Sequence, residues 1–305
     1  MIELAFISEP NFPEDRKKLV LQEILGFIQT NNLPWRIEWA SPPFHKQYDG
    51  WIFLDANLDL LAACPLPQFI VSINAGYHAV KMAFPSIPVE RVIYPLATLR
   101  MARYVTSFVL EHIMQKDRWR NQQKDKAWNR ALPHYSNEQP IIGILGAGMF
   151  GTAIGKPLIA LGFDVIAYQR TPVHPDMPIV TSLSSFLSRV NILINALPDV
   201  IETKRVINQD TLGLLQKNTL FINVGRGAQV DETALLQALD EGVLGKAILD
   251  VFETEPLPAS HVFWTHPNIV ITPHISGAFS LIDLIPKVLE QVFICLQNKE
   301  KSSAN

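Results

Sequence analysis

Cysteine is scarce. The 305 residues hold two, Cys64 and Cys295, far apart in the apolar contexts LLAACPLP and VFICL. That speaks against a disulfide framework. No C-x-x-C pair or Cys/His cluster is present to suggest a structural zinc site, so buried free thiols and a reducing compartment are expected. Long apolar runs are also missing, and none approaches the roughly 18 residues of a membrane span. The opening MIELAFISEP carries two acids and lacks the basic start of a signal peptide. Together these absences predict a soluble, cytoplasmic chain. Basic runs are lacking too, and with a formal net charge of −3 neither nucleic acid nor an anionic membrane is an expected partner. No internal repeat or low-complexity segment stands out.

What is present is an ordinary globular composition, 48% hydrophobic and 18% charged, over a length that favours two domains with proper cores. In the first third, short apolar runs alternate with amphipathic segments. IELAFI, RIEWA, GWIFLD, QFIVSIN and ERVIY read as strands. RKKLVLQEILGFIQTNN reads as a helix with Leu19, Leu21, Ile24, Leu25 and Ile28 on its apolar face. Residues 101–130 change character, from an apolar helix to a polar end bearing Trp119 and Trp128. That end would not bury well within one chain; a contact between two copies is one reading, a solvated helix the other. From Pro140 the alternation restarts. PIIGILG, FDVIAYQ, NILINAL, TLFINVG, KAILDVF and NIVITPH read as strands. MFGTAIGKPLIALG, SLSSFLSR, TKRVINQDTLGLL and DETALLQALDEG read as helix-like stretches between them, the last with Asp231 as N-cap and Glu232 in its first turn. The tail LIDLIPKVLEQVFICLQ is one more amphipathic helix, expected to return to the first domain. The fold class is α/β, with two doubly wound parallel-sheet domains.

Gly146, Gly148 and Gly151 form G-x-G-x-x-G after the apolar strand IIGIL and before a helix pattern, the context this motif requires. The first glycine permits a tight turn. The second lets a pyrophosphate approach the backbone, and the third lets helix and strand pack closely. With Met149 and Phe150 they open a helix whose free N–H groups and partial positive charge suit phosphates. A glycine-rich turn without a ligand is the bland alternative. The following strand runs into VIAYQRTP, where an NAD site would place an acid to accept from the ribose. An acid would repel a 2′-phosphate. Gln169 removes that repulsion, Arg170 offers a forked set of donors, and Thr171 adds a hydroxyl. Arg170 as a solvated surface residue is the competing reading. NADPH is the expected cofactor, with NADH left open.

Three later segments, FINVGRGAQVDETALLQAL, AILDVFETEPLP and FWTHPNIVITPHISG, complete a pattern. With the glycine turn they resemble the D-isomer-specific 2-hydroxyacid dehydrogenases, most of all the glyoxylate/hydroxypyruvate reductase A type. The resemblance is dense from Pro140 to Gly277 and thinner before it. Arg226, Glu255 and His274 follow one another in the family's order and spacing. The resemblance implies a Rossmann cofactor domain at 98–279 inserted into a flavodoxin-like substrate domain of 1–97 and 280–305. It also implies reduction of small 2-keto acids, glyoxylate and hydroxypyruvate first among them. Hydride on C2 develops negative charge on the keto oxygen, which needs a proton donor near neutral pH, and His suits that task. By resemblance His274 is the general acid, Glu255 its partner carboxylate, and Arg226 the fork for the substrate's carboxylate and carbonyl. No metal is then required. Singly, each has a bland reading: a structural His, an element-ending Glu–Pro, a solvated Arg.

The resemblance places Asp250 near the nicotinamide carboxamide, with simple capping of a turn as the other reading. It sets Leu197, Pro198 and, more weakly, Thr203 by the adenosine half, and Val224, Gly225, Ser276 and Gly277 by the nicotinamide. Asn74, Ala75 and Gly76 fall in a loop offering backbone N–H groups to the substrate. There are departures. Asn74 stands where Gly is common, Tyr77 and His78 where a small apolar residue and Asp are common, and Arg103 where many relatives carry Glu. Trp128 matches a Trp of the reductase subgroup and either reaches a partner's cleft or packs at a dimer seam; packing is favoured. The expected partners are a small 2-keto acid and a second copy, met through the cofactor domain and residues 101–130. Two other functions fit the same fold: a dehydrogenase for another 2-hydroxy acid, and a nucleotide-sensing, corepressor-like binding protein without catalysis.

Overall fold

A strand with no polar face must be covered on both sides, so its alternate residues enter two different cores. The strands do this in the computed structural model, which describes residues 1–8, 10–54, 56–73, 77–130, 140–170 and 177–303, without the side chains of His78 and of 299 onward. Contacts divide the chain into two units, Met1–Pro95 with Phe279–Asn305, and Leu96–Ala278.

In the first unit β1 (Ile2–Ile7), β2 (Trp35–Ala40), β3 (Gly50–Phe53), β4 (Phe69–Ser72) and β5 (Val89–Arg91) pair in parallel, in the order β2-β1-β3-β4-β5. This is the flavodoxin-like order. Leu4 and Phe6 of β1 enter a core completed by α1 (Glu14–Thr30) and the C-terminal helix (Leu281–Ser303). Ala5 and Ile7 enter the opposite core with Trp51, Leu61 of α2 (Leu58–Ala62) and Val80 of α3 (Tyr77–Ala83). The apolar stripe of α1 is Val20, Ile24 and Ile28, spaced four apart. Leu19 and Leu25, expected on that face, lie about a quarter-turn off it and are exposed.

The second unit holds β6 (Ile141–Leu145), β7 (Asp164–Tyr168), β8 (Ile179–Val180), β9 (Ile192–Asn195), β10 (Thr219–Asn223), β11 (Leu244–Leu249) and β12 (Ile269–Ile271). All are parallel, in the order β12-β11-β10-β9-β6-β7-β8. This is the Rossmann order extended by one strand. β8 spans two residues, too short for a sequence pattern to show. Leu145, Leu193, Phe221 and Leu249 enter one core, and Ile144, Ile194, Ile222 and Ile248 the other. Each such side chain contributes about 1.5–3 kcal/mol on burial. Strand order reverses between β6 and β9, so the crevice beyond their carboxyl ends is the place for a ligand.

The helices of this unit are α4 (Pro95–Ile113), α5 (Lys116–Lys124), α6 (Met149–Ala160), α7 (Leu183–Leu187), α8 (Gln209–Leu212) and α9 (Glu232–Asp240). α4 buries Met101, Ala102, Val105 and Val109, whereas α5 buries nothing within the chain. Arg100 of α4 donates to Ala278 O (2.5 Å), joining the two ends of the unit. Asp231 caps α9 as expected, accepting from Thr233 N and Ala234 N. TKRVINQDTLGLL is far less helical than its pattern suggests. Arg205 takes φ 49°, Ile207 bridges to Val230, and Asn208 caps only the short α8. The strand expected to reach His274 stops at Ile271. Cys64 and Cys295 are buried and unpaired. No helix among the described residues is long and apolar enough to cross a membrane.

Candidate active site

After Leu145 the chain must turn sharply to begin α6. Gly146 makes that turn at φ +97°, and a Cβ there would press on Ala196 O (3.0 Å) and Leu197 Cα (3.3 Å). Its N–H donates to Tyr168 O (3.1 Å), tying the turn to the end of β7. A Cβ on Gly151 would lie 1.9 Å from Gly146 O, far inside van der Waals contact. Gly148 differs. It precedes α6 without a side-chain cap, and the place its Cβ would fill is open, with nothing within 4 Å. Two packed glycines around an open one leave the backbone at the start of α6, with Met149 and Phe150 in its first turn, accessible to a pyrophosphate.

Gln169 follows β7 beside this turn. Its Oε1 is buried without a hydrogen-bond partner among the described residues. A buried orphan acceptor is costly, and a ribose hydroxyl would satisfy it. The residues present therefore fit a dinucleotide. Arg170, next in the chain, is exposed. Thr171 lies outside the described residues, as do Asn74, Ala75 and Gly76.

Loops follow β10, β11 and β12 side by side. Arg226 is half-buried in extended backbone, and its Nη1 donates to Gly225 O (2.8 Å). A Cβ on Gly227 would fall 1.8 Å from the Phe252 carbonyl carbon, so the Arg226 loop lies directly on the backbone leading to Glu255. Glu255 Oε1 accepts from Phe252 N (2.9 Å), and its Oε2 lies 2.7 Å from His274 Nδ1. With Nδ1 turned to the carboxylate, Nε2 of this half-exposed ring is the nitrogen free for other chemistry. The hydrogen bond to Glu255 raises the His274 pKa against the opposing effect of burial. The Glu255 charge adds to the rise, and the Arg226 charge works against it. Burial pushes Glu255 upward, but the bonds from His274 and Phe252 N and the charges of His274 and Arg226 outweigh it and hold the carboxyl below its ordinary value. Arg226, Glu255 and His274 are thus brought together.

His274 occupies the left-handed region at φ +52°, uncommon outside glycine. Asp250 holds it there. His274 N donates to Asp250 O (2.8 Å) and Thr272 O (3.0 Å). The buried Asp250 carboxylate accepts from Thr272 Oγ1 (2.6 Å), Ile275 N (2.9 Å) and Ser276 N (2.8 Å). Since the Thr272 hydroxyl donates to Asp250, Tyr104 Oη of α4 is the donor to Thr272 Oγ1 (2.6 Å). Burial raises the Tyr104 pKa and keeps it a donor at neutral pH. Of its two readings, Asp250 is seen in the turn-capping one. Asp250→Asn puts an N–H against these donors and should cost about 1–3 kcal/mol of stability, measured by denaturant unfolding. An unchanged unfolding midpoint would show that the carboxylate is dispensable to the turn.

Tyr104 and Thr272 escaped sequence reasoning, as did a buried amide cluster of Asn195, Asn223 and Gln229. A signal existed for the first pair of amides. ILIN and LFIN each end in Asn after three apolar residues, and the two Asn are partners in the β9–β10 register. Thr203 Oγ1 donates to Pro198 O (2.7 Å), closing the loop after β9. Val224 packs into the core, so only its backbone is left to face a ligand. Ser276 is buried, and Gly277 abuts Met101, where a Cβ would lie 3.2 Å from Met101 Cε. In the other unit the Arg91 guanidinium lies 5.3 Å from the Tyr77 ring centre. Trp128 is exposed beside Arg130. Arg103 is exposed on α4, and nothing in the structure explains its charge.

Residues 106–276 match the family model for the NAD binding domain of D-isomer specific 2-hydroxyacid dehydrogenases. A glyoxylate/hydroxypyruvate reductase A from Serratia proteamaculans is 36% identical over 220 residues, covering 68% of this chain and 70% of the relative. Another from Yersinia enterocolitica is 37% identical over 221 residues, covering 70% and 68%. A D-isomer specific 2-hydroxyacid dehydrogenase from Xanthobacter autotrophicus, solved with NADPH and MES, gives a TM-score of 0.80 at 28% identity over 97% of this chain and 95% of that one. An NADPH-dependent glyoxylate/hydroxypyruvate reductase from Sinorhizobium meliloti, solved with NADP and sulfate, gives 0.78 at 27% identity over 96% and 94%.

Proposed function

Since this chain belongs to the D-isomer specific 2-hydroxyacid dehydrogenase family, we propose that it reduces small 2-keto acids, glyoxylate and hydroxypyruvate foremost, with NADPH as the preferred cofactor. The observation that carries this reading is the 2.7 Å contact of His274 with Glu255, with the charge of Arg226 acting on both. The planar donors of Arg226 hold the substrate's carboxylate and keto oxygen. Negative charge developing on that oxygen is met by the proton on His274 Nε2, and Glu255 keeps the ring charged and oriented until then. When bound, the nicotinamide supplies the hydride that C2 receives. The Gly146–Gly151 turn would hold its pyrophosphate, Gln169 its ribose, and Arg170 the 2′-phosphate. A homodimer through residues 101–130 fits the same reading, because α5 buries nothing within the chain and Trp128 is 88% exposed.

The test is a panel of initial rates, with NADPH and NADH against glyoxylate, hydroxypyruvate, pyruvate and bulkier keto acids. NADPH oxidation should be fastest with the first two; failure with every keto acid despite nucleotide binding overturns the reading. Within that panel Arg170→Ala should raise KM for NADPH by about tenfold or more while leaving KM for NADH almost unchanged. Equal effects on both nucleotides would sink the 2′-phosphate assignment.

A further inference from the structure

Gln229 ends the 3-10 turn Gly227–Gln229 and is fully buried. Its Oε1 accepts from Arg226 N (2.9 Å) and Asn195 Nδ2 (2.7 Å). Its Nε2 donates to Pro198 O (2.8 Å) and Leu197 O (3.2 Å). The amide can sit only this way round, because rotating it would set N–H against N–H at Arg226 and oxygen against two carbonyls. The neighbouring amides complete the arrangement. Asn195 Oδ1 accepts from Leu197 N (3.3 Å), and its Nδ2 donates to Asn223 Oδ1 (3.0 Å). Asn223 Nδ2 donates to Arg226 O (3.3 Å), and its Oδ1 accepts from Gly225 N (3.2 Å). Leu197 and Arg226 are thus each held at both backbone N–H and C=O, by three uncharged side chains. Gly225 gives way to them: a Cβ there would lie 2.4 Å from Gln229 Oε1 and 2.9 Å from Asn195 Nδ2. An apolar residue of similar size would fill this space without burying two polar side-chain atoms of its own, so packing alone does not account for an amide here.

We propose that Gln229 is a positioning residue that sets the backbone of Arg226 and the Leu197–Pro198 loop in one register, coupling the keto-acid side of the site to the nucleotide side. The inference rests on the role proposed above for Arg226 and on the adenosine-side placement that the family resemblance implies for Leu197 and Pro198. Its two ends separate chemically. Gln229→Met removes both. Gln229→Glu keeps the acceptor for Arg226 N but turns the donor into a second acceptor facing two carbonyls, unless the acid is protonated.

Wild type and both variants are titrated with NADPH by fluorescence, and kcat and KM are measured with glyoxylate. Gln229→Met should raise the NADPH dissociation constant and the glyoxylate KM by about tenfold each. Gln229→Glu at about pH 8 should weaken NADPH by about tenfold while moving the glyoxylate KM by less than about threefold. Burial raises the pKa of the new acid, so its NADPH affinity should recover toward wild type, measured at the same pH, as pH falls to about 6. Wild-type constants in Gln229→Met, or equal and pH-independent losses for both ligands in Gln229→Glu, would overturn the proposal. If Gln229→Met does not fold, the pH series of Gln229→Glu decides. If wild type binds NADPH but reduces no keto acid, the functional reading fails, while the recovery of NADPH affinity in Gln229→Glu still judges the role of Gln229.

Discussion

Replacing His274 with Asn should lower turnover by about 10²–10⁴-fold while NADPH binding stays near that of the wild type. Asn keeps a donor of similar reach and tolerates the left-handed backbone at this position, so the loop survives and only the transferable proton is lost. Near-normal turnover would refute the proton-donor role. The pH dependence tests the same residue. With His274 as the proposed donor, reduction needs the protonated ring, so its rate should hold below the His274 pKa and fall as pH rises through it. Glu255 has moved that pKa above the ordinary imidazole value of about 6.5, so the fall comes at higher pH than for an unpartnered ring. Glu255→Gln removes the raising partner, and the fall should move to lower pH. The stability linked to His274 has the same sign, complete below the unfolded imidazole value and lost as pH rises through the folded one. The share linked to Glu255 is instead present above the ordinary carboxyl value and lost as pH falls through its lowered folded one.

Arg226→Ala should lower kcat/KM for the keto acid by about 10³-fold, and Arg226→Lys should restore only part of it, because an ammonium cannot reproduce the planar fork. Full recovery in Arg226→Lys would show that charge alone suffices. A second readout separates Arg226 from Glu255. Arg226 lowers the pKa of His274, so its removal should carry the fall in reductive rate to higher pH, opposite to the Glu255→Gln shift. Shifts of the same sign in the two variants would contradict the observed arrangement. The initial-rate panel across pH with wild type and the three variants reads both effects.

The strands were legible because each apolar run must feed two cores, and that demand leaves its mark on LAFI of the first strand and on the apolar residues of IIGIL. Gly146 and Gly151 were legible for a comparable reason, since a turn at positive φ and a close backbone approach each permit one residue type, while Gly148, where the space is open, was marked by the motif alone. Arg226, Glu255 and His274 announced themselves through resemblance, in order and spacing. Their contacts did not, since a 2.7 Å bond between residues on separate loops imposes no local pattern. The same holds for the chain from Tyr104 through Thr272 to Asp250, which draws on α4 and two separate loops of the unit. Gln229 was hidden for a further reason. In RGAQVD it sits among residues that look like the solvated start of a helix, yet the turn Gly227–Gln229 folds it inward. TKRVINQDTLGLL misled because helical spacing of apolar residues also arises where a bridge at Ile207 and a short capped turn use them in succession.

Arg100 and Ala278 stand near opposite ends of the unit Leu96–Ala278, and the bond between them returns the chain to where it entered. The helix Leu281–Ser303 nevertheless belongs to the same core as α1 and β1, at the other end of the sequence. Were that core to form first, it would have to close a loop spanning the whole inserted unit, at a cost in chain entropy that grows with loop length. Once the inserted unit has folded, its ends are already adjacent and little freedom remains to be lost. The order of assembly that follows is the inserted unit first and the C-terminal helix last, so a polypeptide still being made would finish its nucleotide-binding sheet before one core of the unit encoded ahead of it is filled.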